Sequence, residues 1–277
     1  MIIVKLSSAS AVFPECDVNN RMTAGAGCDR IVNVMQRCFR LRPRGPRPFL
    51  IPVLVLCLLL GGAGALGDDI DDELGLWSMY FWNANLGDSR WVAQGDLQYR
   101  HWSVGSDTEQ ILLRGALGYR PAGGGTVLAG GFAFIESRPF GDGGRDVNER
   151  RVYQEALIPQ GPLGRVHLTH RLRFEQRWID GQDFRTRFRY ALFANIPLNR
   201  EDLGPGATYV ALYNEVFVNG QRDIGGGRSV DRLDRNRLYG GIGYTLAPGA
   251  RLQIGVMRQN APNFDRNQLQ LSFHHSF

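Results

Sequence analysis

Cysteine is scarce in this sequence, and its four residues lie at positions 16, 28, 38 and 57. The rest of the chain therefore has neither a thiol nucleophile nor a thiolate ligand for zinc. It also cannot form a disulfide, which suits an exported domain that is stable without one. Cysteine catalysis and a zinc–thiolate site are excluded for this part of the chain.

The sequence also lacks an apolar run long enough for a membrane-spanning helix. Its main apolar stretch, PFLIPVLVLCLLLGGAGALG at 48–67, is uninterrupted only from Val53 to Leu60. Arginines precede this stretch and small residues end it, which is the plan of a secretory signal peptide. We therefore predict cleavage near Gly67, with Met35 as an alternative start of the leader.

Residues 1–67 are thus predicted to be an N-terminal extension with a signal peptide, and residues 68–277 a single exported domain. The leader holds eight of the 32 basic residues but only three of the 27 acidic ones, which leaves 24 of each in the domain. The full-length formal charge of +5 therefore belongs to the leader. A balanced domain gives no electrostatic reason to expect a nucleic-acid partner.

The 3.6-residue period of an amphipathic helix is absent from the predicted domain. Apolar residues instead recur at every second position, in runs of about 10 to 15 residues separated by turn formers. These runs are longer than the strands of soluble sandwiches and match a tilted strand that crosses a bilayer. The predicted strands are 73–86, 90–102, 109–120, 126–136, 148–159, 163–179, 183–198, 207–219, 232–246, 250–258 and 267–277.

A sheet that spans a membrane must close on itself, because lipid offers no partner for backbone N–H and C=O groups. The predicted fold is therefore all-β, a closed antiparallel up-and-down transmembrane β-barrel of 10–12 strands. Eleven runs are visible, whereas bacterial single-chain barrels have even numbers of strands. We prefer twelve strands, with one missed, over ten strands in which 73–86 is not a full wall strand.

The C-terminal stretch NQLQLSFHHSF alternates polar and apolar residues and ends on an aromatic residue. Such an ending resembles the signal that the assembly machinery of bacterial outer-membrane barrels recognises. The sequence therefore predicts an outer-membrane protein, with outer-membrane lipid and the barrel-assembly machinery as partners. The predicted assembly signal consists of Leu269, Leu271, Phe273, His275 and Phe277.

Connection lengths predict the orientation, because outer-membrane barrels have short periplasmic turns and longer extracellular loops. With Phe277 in the periplasm, short connections such as GDS, PAGGG, PQGPLG and APG fall on that side. The short DGQ segment is the exception. The longer connections predicted on the extracellular side are 103–108, 137–147, 220–231 and 259–266.

Charged residues share one parity of positions in several strands, as in RVHLTHRLRFEQRW at 165–178. In a barrel this parity faces the lumen, and we weigh three interpretations: an ion-pair network that fills the barrel, a positive pore wall that favours small anionic solutes, and a contact with lipid phosphate or polysaccharide. Balanced charge argues against an unopposed positive wall. The predicted lumen network consists of Asp96, Arg100, Arg114, Glu136, Glu155, Arg171, Arg173, Glu175, Arg177, Arg185, Arg187, Arg189, Glu215, Arg235 and Arg237.

Catalytic, metal and cofactor motifs are absent from the sequence, so we predict no enzyme and no cofactor. The alternative is a lipid-modifying hydrolase or acyltransferase that uses Ser272, His274 and Glu215. Two residues apart on one strand face, Ser272 and His274 are separated by roughly 7 Å, which is too far for direct contact.

Several segments resemble, in order, an uncharacterised family of bacterial barrel proteins known as DUF2490. They are HRLRFEQRW at 170–178, RFRYALFANIPL at 187–198, YNEVFVN at 213–219, RNRLYGGIGYTL at 235–246 and the terminal QLQLSFHHSF. The resemblance extends over nearly the whole of 68–277 and implies an outer-membrane β-barrel. It brings no established activity, so it assigns no catalytic residues.

Overall fold

The computed structural model describes residues 73–141, 144–262 and 264–277, and the predicted leader and its cleavage site lie outside the described residues. Within these ranges the chain forms eleven β-strands joined by turns and loops. No helix there has the length and apolar composition to cross a membrane. The strands are β1 (Gly75–Asn85), β2 (Trp91–Ser103), β3 (Ser106–Tyr119), β4 (Val127–Ser137), β5 (Val147–Leu163), β6 (Val166–Ile179), β7 (Arg185–Pro197), β8 (Thr208–Asn219), β9 (Leu233–Ala247), β10 (Ala250–Ala261) and β11 (Phe264–Ser276).

The eleven strands form one closed barrel, which confirms the predicted all-β, up-and-down architecture. Each strand pairs antiparallel with its neighbours in sequence, and β1 closes the barrel by pairing with β11 in parallel, from Gly75↔Gln268 to Asn83↔Ser276. The preference for twelve strands is wrong, because it assumed antiparallel closure. The ten-strand alternative is also wrong, because β1 is hydrogen-bonded along both edges. With one parallel pair, an odd number of strands can close into a barrel in which both edges of every strand are hydrogen-bonded.

Side chains alternate between the interior and the outer face along each strand. In β4, Phe132 and Phe134 point outward and are 63% and 58% exposed, whereas Ala133 between them is 1% exposed. Phe134 lies beside Leu113 of β3, itself 52% exposed, so the outer apolar side chains continue from strand to strand. An exposed apolar surface of this kind is unusual for a soluble monomer.

Connections at the two rims differ less in length than the sequence suggests. We call the rim where β11 ends the C-terminal rim. At the opposite rim, the predicted loop 103–108 is a turn of two residues, and 259–266 shortens to the step from Ala261 to Phe264. The connections at 138–146 and 220–232 are long, as predicted, but the C-terminal rim also carries a long connection at 198–207. Connection lengths therefore do not fix the orientation, which stays a prediction.

The apolar part of the interior is divided into small clusters instead of forming one continuous core. The largest joins Trp77, Tyr209, Ala211, Tyr239 and Met257. Between these clusters the interior is filled by charged and amide side chains.

Interior glycines make room for tyrosine rings on the neighbouring strand. A Cβ atom on Gly131 would lie 2.7 Å from Cζ of Tyr153, and one on Gly243 would lie 2.1 Å from Cζ of Tyr209. Each glycine is the cross-strand partner of its tyrosine. The rings therefore lie flat across the barrel wall and leave space at its centre.

Candidate functional site

The barrel encloses a cavity of about 600 Å³. Its lining extends from Ile179 and Arg185, near the opposite rim, to Arg251 and His274, near the C-terminal rim. Among the described residues that line it, eleven are arginines and three are carboxylates. The arginines are Arg100, Arg114, Arg151, Arg171, Arg177, Arg185, Arg187, Arg189, Arg235, Arg237 and Arg251, and the carboxylates are Glu109, Glu149 and Glu215.

The densest part of this lining lies on β6 and β7, where odd-numbered residues of both strands face inward. The antiparallel register places Arg173 opposite Arg189, Glu175 opposite Arg187 and Arg177 opposite Arg185. Like charges placed directly opposite one another destabilise a sheet unless other groups compensate them. Carboxylates on the nearby strands β5, β8 and β9 are therefore required to compensate the positive charge of β6 and β7.

Glu175 is the centre of this network and is 1% exposed. Its carboxylate accepts hydrogen bonds from Arg187 and Arg189, each at 2.7 Å. Arg151 and Arg173 lie farther away, at 3.7 and 4.0 Å. One buried carboxylate thus holds guanidinium groups from three strands, which stabilises the pairing geometry of all of them.

Glu215 on β8 extends the network across the barrel, because it accepts from Arg171 and from Arg189, both at 2.7 Å. Glu155 on β5 pairs with Arg173 and lies 3.9 Å from Arg171. The contacts therefore form one connected set from β5 to β8.

Three further carboxylates, Glu149, Asp234 and Asp96, form ion pairs with interior arginines. Glu149 binds Arg151 at 2.6 Å and Arg177 at 2.5 Å. Asp234 binds Arg187 at 2.7 Å and lies 3.2 Å from Arg235. Asp96 accepts two hydrogen bonds from Arg114, at 2.7 and 2.9 Å, in the two-pronged arrangement that arginine favours. Three of these pairs join different strands: Glu149 with Arg177, Asp234 with Arg187, and Asp96 with Arg114.

Neutral groups hold two of the arginines that face the cavity. Arg100 donates to Gln110 at 2.7 Å, and its Cζ lies 3.7 Å from the centroid of the Trp77 ring. Arg237 donates to Gln259 at 2.7 Å, and its Cζ lies 4.7 Å from the same ring. Aromatic faces and amide oxygens fix these cations without neutralising them, so their charge remains on the cavity wall.

The cavity wall is therefore more positive than the balanced composition of 68–277 suggests, although carboxylates pair with most of the interior arginines, as expected for a wall that is not unopposed. Many carboxylates of the domain are exposed at the rims, as Asp180, Glu201 and Asp223 are. Net charge is a property of the whole chain, whereas the wall potential depends on which side chains face inward.

Most of the predicted lumen residues lie in the interior, and one does not. Glu136 is on the outer face of β4 beside Phe134, where it pairs with Arg138 at 2.7 Å and both side chains are largely exposed. Its assignment to the lumen is wrong, because the inward parity of β4 is that of Ala133 and Ile135. The residues that are nine-tenths or more buried are Asp96, Arg100, Arg114, Glu155, Arg173, Glu175, Arg177, Arg185, Arg187, Arg189, Glu215 and Arg237, while Arg171 and Arg235 are partly exposed.

Sequence reasoning also missed interior charges. Glu149 and Arg151 have the same parity as Glu155 on β5, so the alternation that identified Glu155 could have identified them. Asp234 and Arg251 carried no such signal, because they lie at the ends of their strands.

Toward the C-terminal rim the interior also holds aromatic and neutral polar side chains, beside Arg251. The rings of Tyr213 and Tyr239 stack with centroids 4.8 Å apart, and Tyr213 donates to Gln270 at 3.0 Å. Ser272 Oγ lies 3.1 Å from His274 Nε2, within hydrogen-bonding distance. The expected 7 Å separation is wrong for the side chains, because it is the spacing of Cα atoms and the two side chains turn toward each other.

A catalytic triad is not assembled around this serine. Glu215, the acid that the sequence suggested, is engaged by Arg171 and Arg189. Among the described residues no carboxylate forms a hydrogen bond with His274, and no cluster of three or more His, Asp or Glu is placed to hold a metal ion.

The residues of the predicted assembly signal lie along one face of β11. Leu271 and Phe277 are 46% and 61% exposed, whereas His275 bonds to the hydroxyl of Tyr80 at 3.2 Å. The backbone of Phe277 continues the pairing with β1, since its N–H donates to Asn83 O at 3.0 Å. The last residue thus takes part in the β1–β11 pairing that closes the barrel.

Comparison with known proteins gives a family but no activity. The family described as a protein of unknown function, DUF2490, matches residues 74–270. An uncharacterised protein of Methylorubrum extorquens is 30% identical over 207 residues, which cover 74% of this chain and 86% of that protein. No solved structure matches the chain. Because the family model matches more than half of the chain, this chain belongs to the DUF2490 family.

Proposed function

We propose that this protein is an outer-membrane β-barrel that passes small solutes and prefers anions. The observation that carries the proposal is the cavity wall, which presents eleven arginines and three carboxylates. A closed barrel with charged residues inside and apolar residues outside is the arrangement that a bilayer requires of a spanning sheet. Outer-membrane lipid and the barrel-assembly machinery are the partners that this location implies.

Anion preference follows from the sign and position of the wall charges. Guanidinium groups cannot lose their charge at ordinary pH, and in a narrow interior they are screened less than on a surface. Arg251, near the C-terminal rim, and Arg235, near the opposite rim, both line the cavity. Arginines of the ion-pair network line the cavity between them, so a solute would pass beside these side chains and would be small.

Planar-bilayer recording tests this proposal. Purified, refolded protein is expected to give discrete conductance steps, and in a KCl gradient the reversal potential should have the sign of chloride preference. The control is the same protein after heat denaturation in detergent. Absence of steps at high protein loading contradicts the channel and leaves a closed scaffold, in which the arginines and carboxylates serve only to hold the strands together.

A lipid-modifying enzyme is the second candidate, and the hydrogen bond between Ser272 and His274 is the observation that favours it. A serine with a histidine base in contact is the minimum for acyl transfer. The test is hydrolysis of detergent-presented phospholipid by the wild-type barrel and by Ser272→Ala. Activity that survives the substitution, or no activity in either protein, removes this candidate.

A further inference from the structure

Arg177 of β6 and Arg185 of β7 lie opposite each other near the rim that faces away from the C-terminus. They are direct cross-strand partners, and they are only 5% and 6% exposed. Both line the cavity. Two buried positive charges in direct opposition are unfavourable, so this position needs negative charge.

The guanidinium groups of these two arginines are not fully used by the protein. Arg177 donates through Nε and Nη2 to Glu149, at 2.5 and 3.1 Å, but its buried Nη1 has no acceptor. The Nε and Nη1 atoms of Arg185 are buried without an acceptor as well. Among the described residues Arg185 forms no salt bridge, so three buried N–H-bearing nitrogens at this position lack a partner. Leaving such donors unpaired is costly.

The nearby carboxylates are already engaged. Glu149 is shared between Arg151 and Arg177, and Asp234 between Arg187 and Arg235. Another cavity residue close in sequence, Gln182, has a buried side-chain oxygen without a partner, and its amide can turn to present either an oxygen or an N–H. The protein therefore supplies donors here and no free anion.

We propose that Arg177 and Arg185 bind a phosphate-type oxyanion, either inorganic phosphate or a soluble phosphate monoester. Three unpartnered donor nitrogens can be met by the three terminal oxygens of a phosphate monoester or by three of the four oxygens of inorganic phosphate, whereas a carboxylate has two oxygens. Planar guanidinium groups bind such oxygens in pairs, which a halide ion cannot exploit. The proposal deepens the proposed function and rests on it for access to the cavity from solvent.

Calorimetric titration of the folded barrel in detergent, at constant ionic strength set by chloride, tests the site. The titrants are inorganic phosphate and glycerol phosphate, and their relative affinities decide between free phosphate and a monoester. Arg185→Gln is expected to weaken phosphate binding by about tenfold or more, the effect of losing hydrogen bonds to a charged group. The matched control is Arg251→Gln, which removes the same charge from the cavity near the other rim and should change affinity by less than about twofold.

Folding of each variant is checked by its heat-dependent gel mobility. If Arg185→Gln does not fold, Arg185→Lys carries the test, because it keeps the charge but loses the planar pair of donors and is expected to bind phosphate more weakly than Arg251→Gln does. Wild-type protein that binds no phosphate, or an equal loss in the variants at 185 and 251, overturns the proposal. Phosphate binding without conductance removes the channel but keeps this site, and conductance without phosphate binding does the reverse.

Discussion

Glu175 shows how much of the barrel's stability depends on single interior charges. It is the most central carboxylate of the network, with two arginines at 2.7 Å and two more within 4.0 Å. Glu175→Gln keeps the size of the side chain but leaves buried guanidinium groups uncompensated. We expect a loss of about 3–5 kcal/mol in the free energy of unfolding, measured by urea titration of barrels refolded into lipid vesicles.

Glu136→Gln is the matched control, because the same change is made on the outer face, in an exposed pair with Arg138. An exposed pair contributes about 0–1 kcal/mol, so unfolding should shift little. Equal effects at positions 136 and 175 would contradict a structural role for the interior network.

Alternation also explains which residues could be assigned from the sequence. On β6 and β7 arginines occupy one parity and apolar residues the other, so Arg173 and Arg189 were placed correctly in the interior. On β4 both parities are apolar, VLAGGFAFIES, and the inward set includes the small residues Ala133 and Gly131, which lie opposite Arg114 and Tyr153. Because the two faces of β4 do not differ in polarity, the alternation does not indicate whether Glu136 points inward or outward.

At the scale of the element, strand bounds were harder to predict than strand number. The segment PQGPLG contains proline and glycine, which predict a turn, but β5 continues through it to Leu163. Pro159 is paired with Thr169, and the register shifts between Gln160 and Leu163. Pro162, which cannot donate a backbone hydrogen bond, lies within this irregularity, so the strand continues past it and does not end.

Interior glycines determine how closely neighbouring strands can pack around the aromatic rings. In Gly131→Ala, the new Cβ atom would lie 2.4 Å from Gly115 O and 2.7 Å from the Tyr153 ring. A backbone oxygen cannot move aside, so we expect destabilisation of about 1–3 kcal/mol in the same urea titration. Gly130→Ala is the control, since its Cβ atom would point outward with nothing within 4 Å. A similar loss in both variants would show that the ring contact is irrelevant.

At the scale of the whole molecule, function follows from where the charges are placed and not from how many there are. The sequence has equal numbers of acidic and basic residues in 68–277, yet the cavity wall presents eleven arginines and three carboxylates, and many acids lie at the rims. No count of residues predicts this distribution, because it depends on strand parity and on which carboxylates reach across the barrel. The family match adds no activity that could substitute for it.

Closure through a parallel seam is the property of the whole barrel that the sequence did not predict, and it can be tested by crosslinking. The described barrel has no cysteine, so a pair can be introduced without interference. Ser78 and Leu271 are Cα partners across β1 and β11. We expect Ser78→Cys with Leu271→Cys to form a disulfide on mild oxidation, because paired strands bring Cα atoms within the required distance of about 4.4–6.8 Å.

After heating, the crosslinked protein should migrate faster under non-reducing conditions than with reductant, because the disulfide closes the unfolded chain into a loop. Ser78→Cys with Leu269→Cys is the matched control, since a register offset of two residues places the Cα atoms beyond that range. A twelfth strand between β1 and β11 would separate position 78 from both by about twice the strand spacing, or roughly 10 Å. Failure of the 78–271 pair to crosslink in protein that folds would therefore contradict the eleven-stranded closure, whereas crosslinking of the control alone would contradict its register.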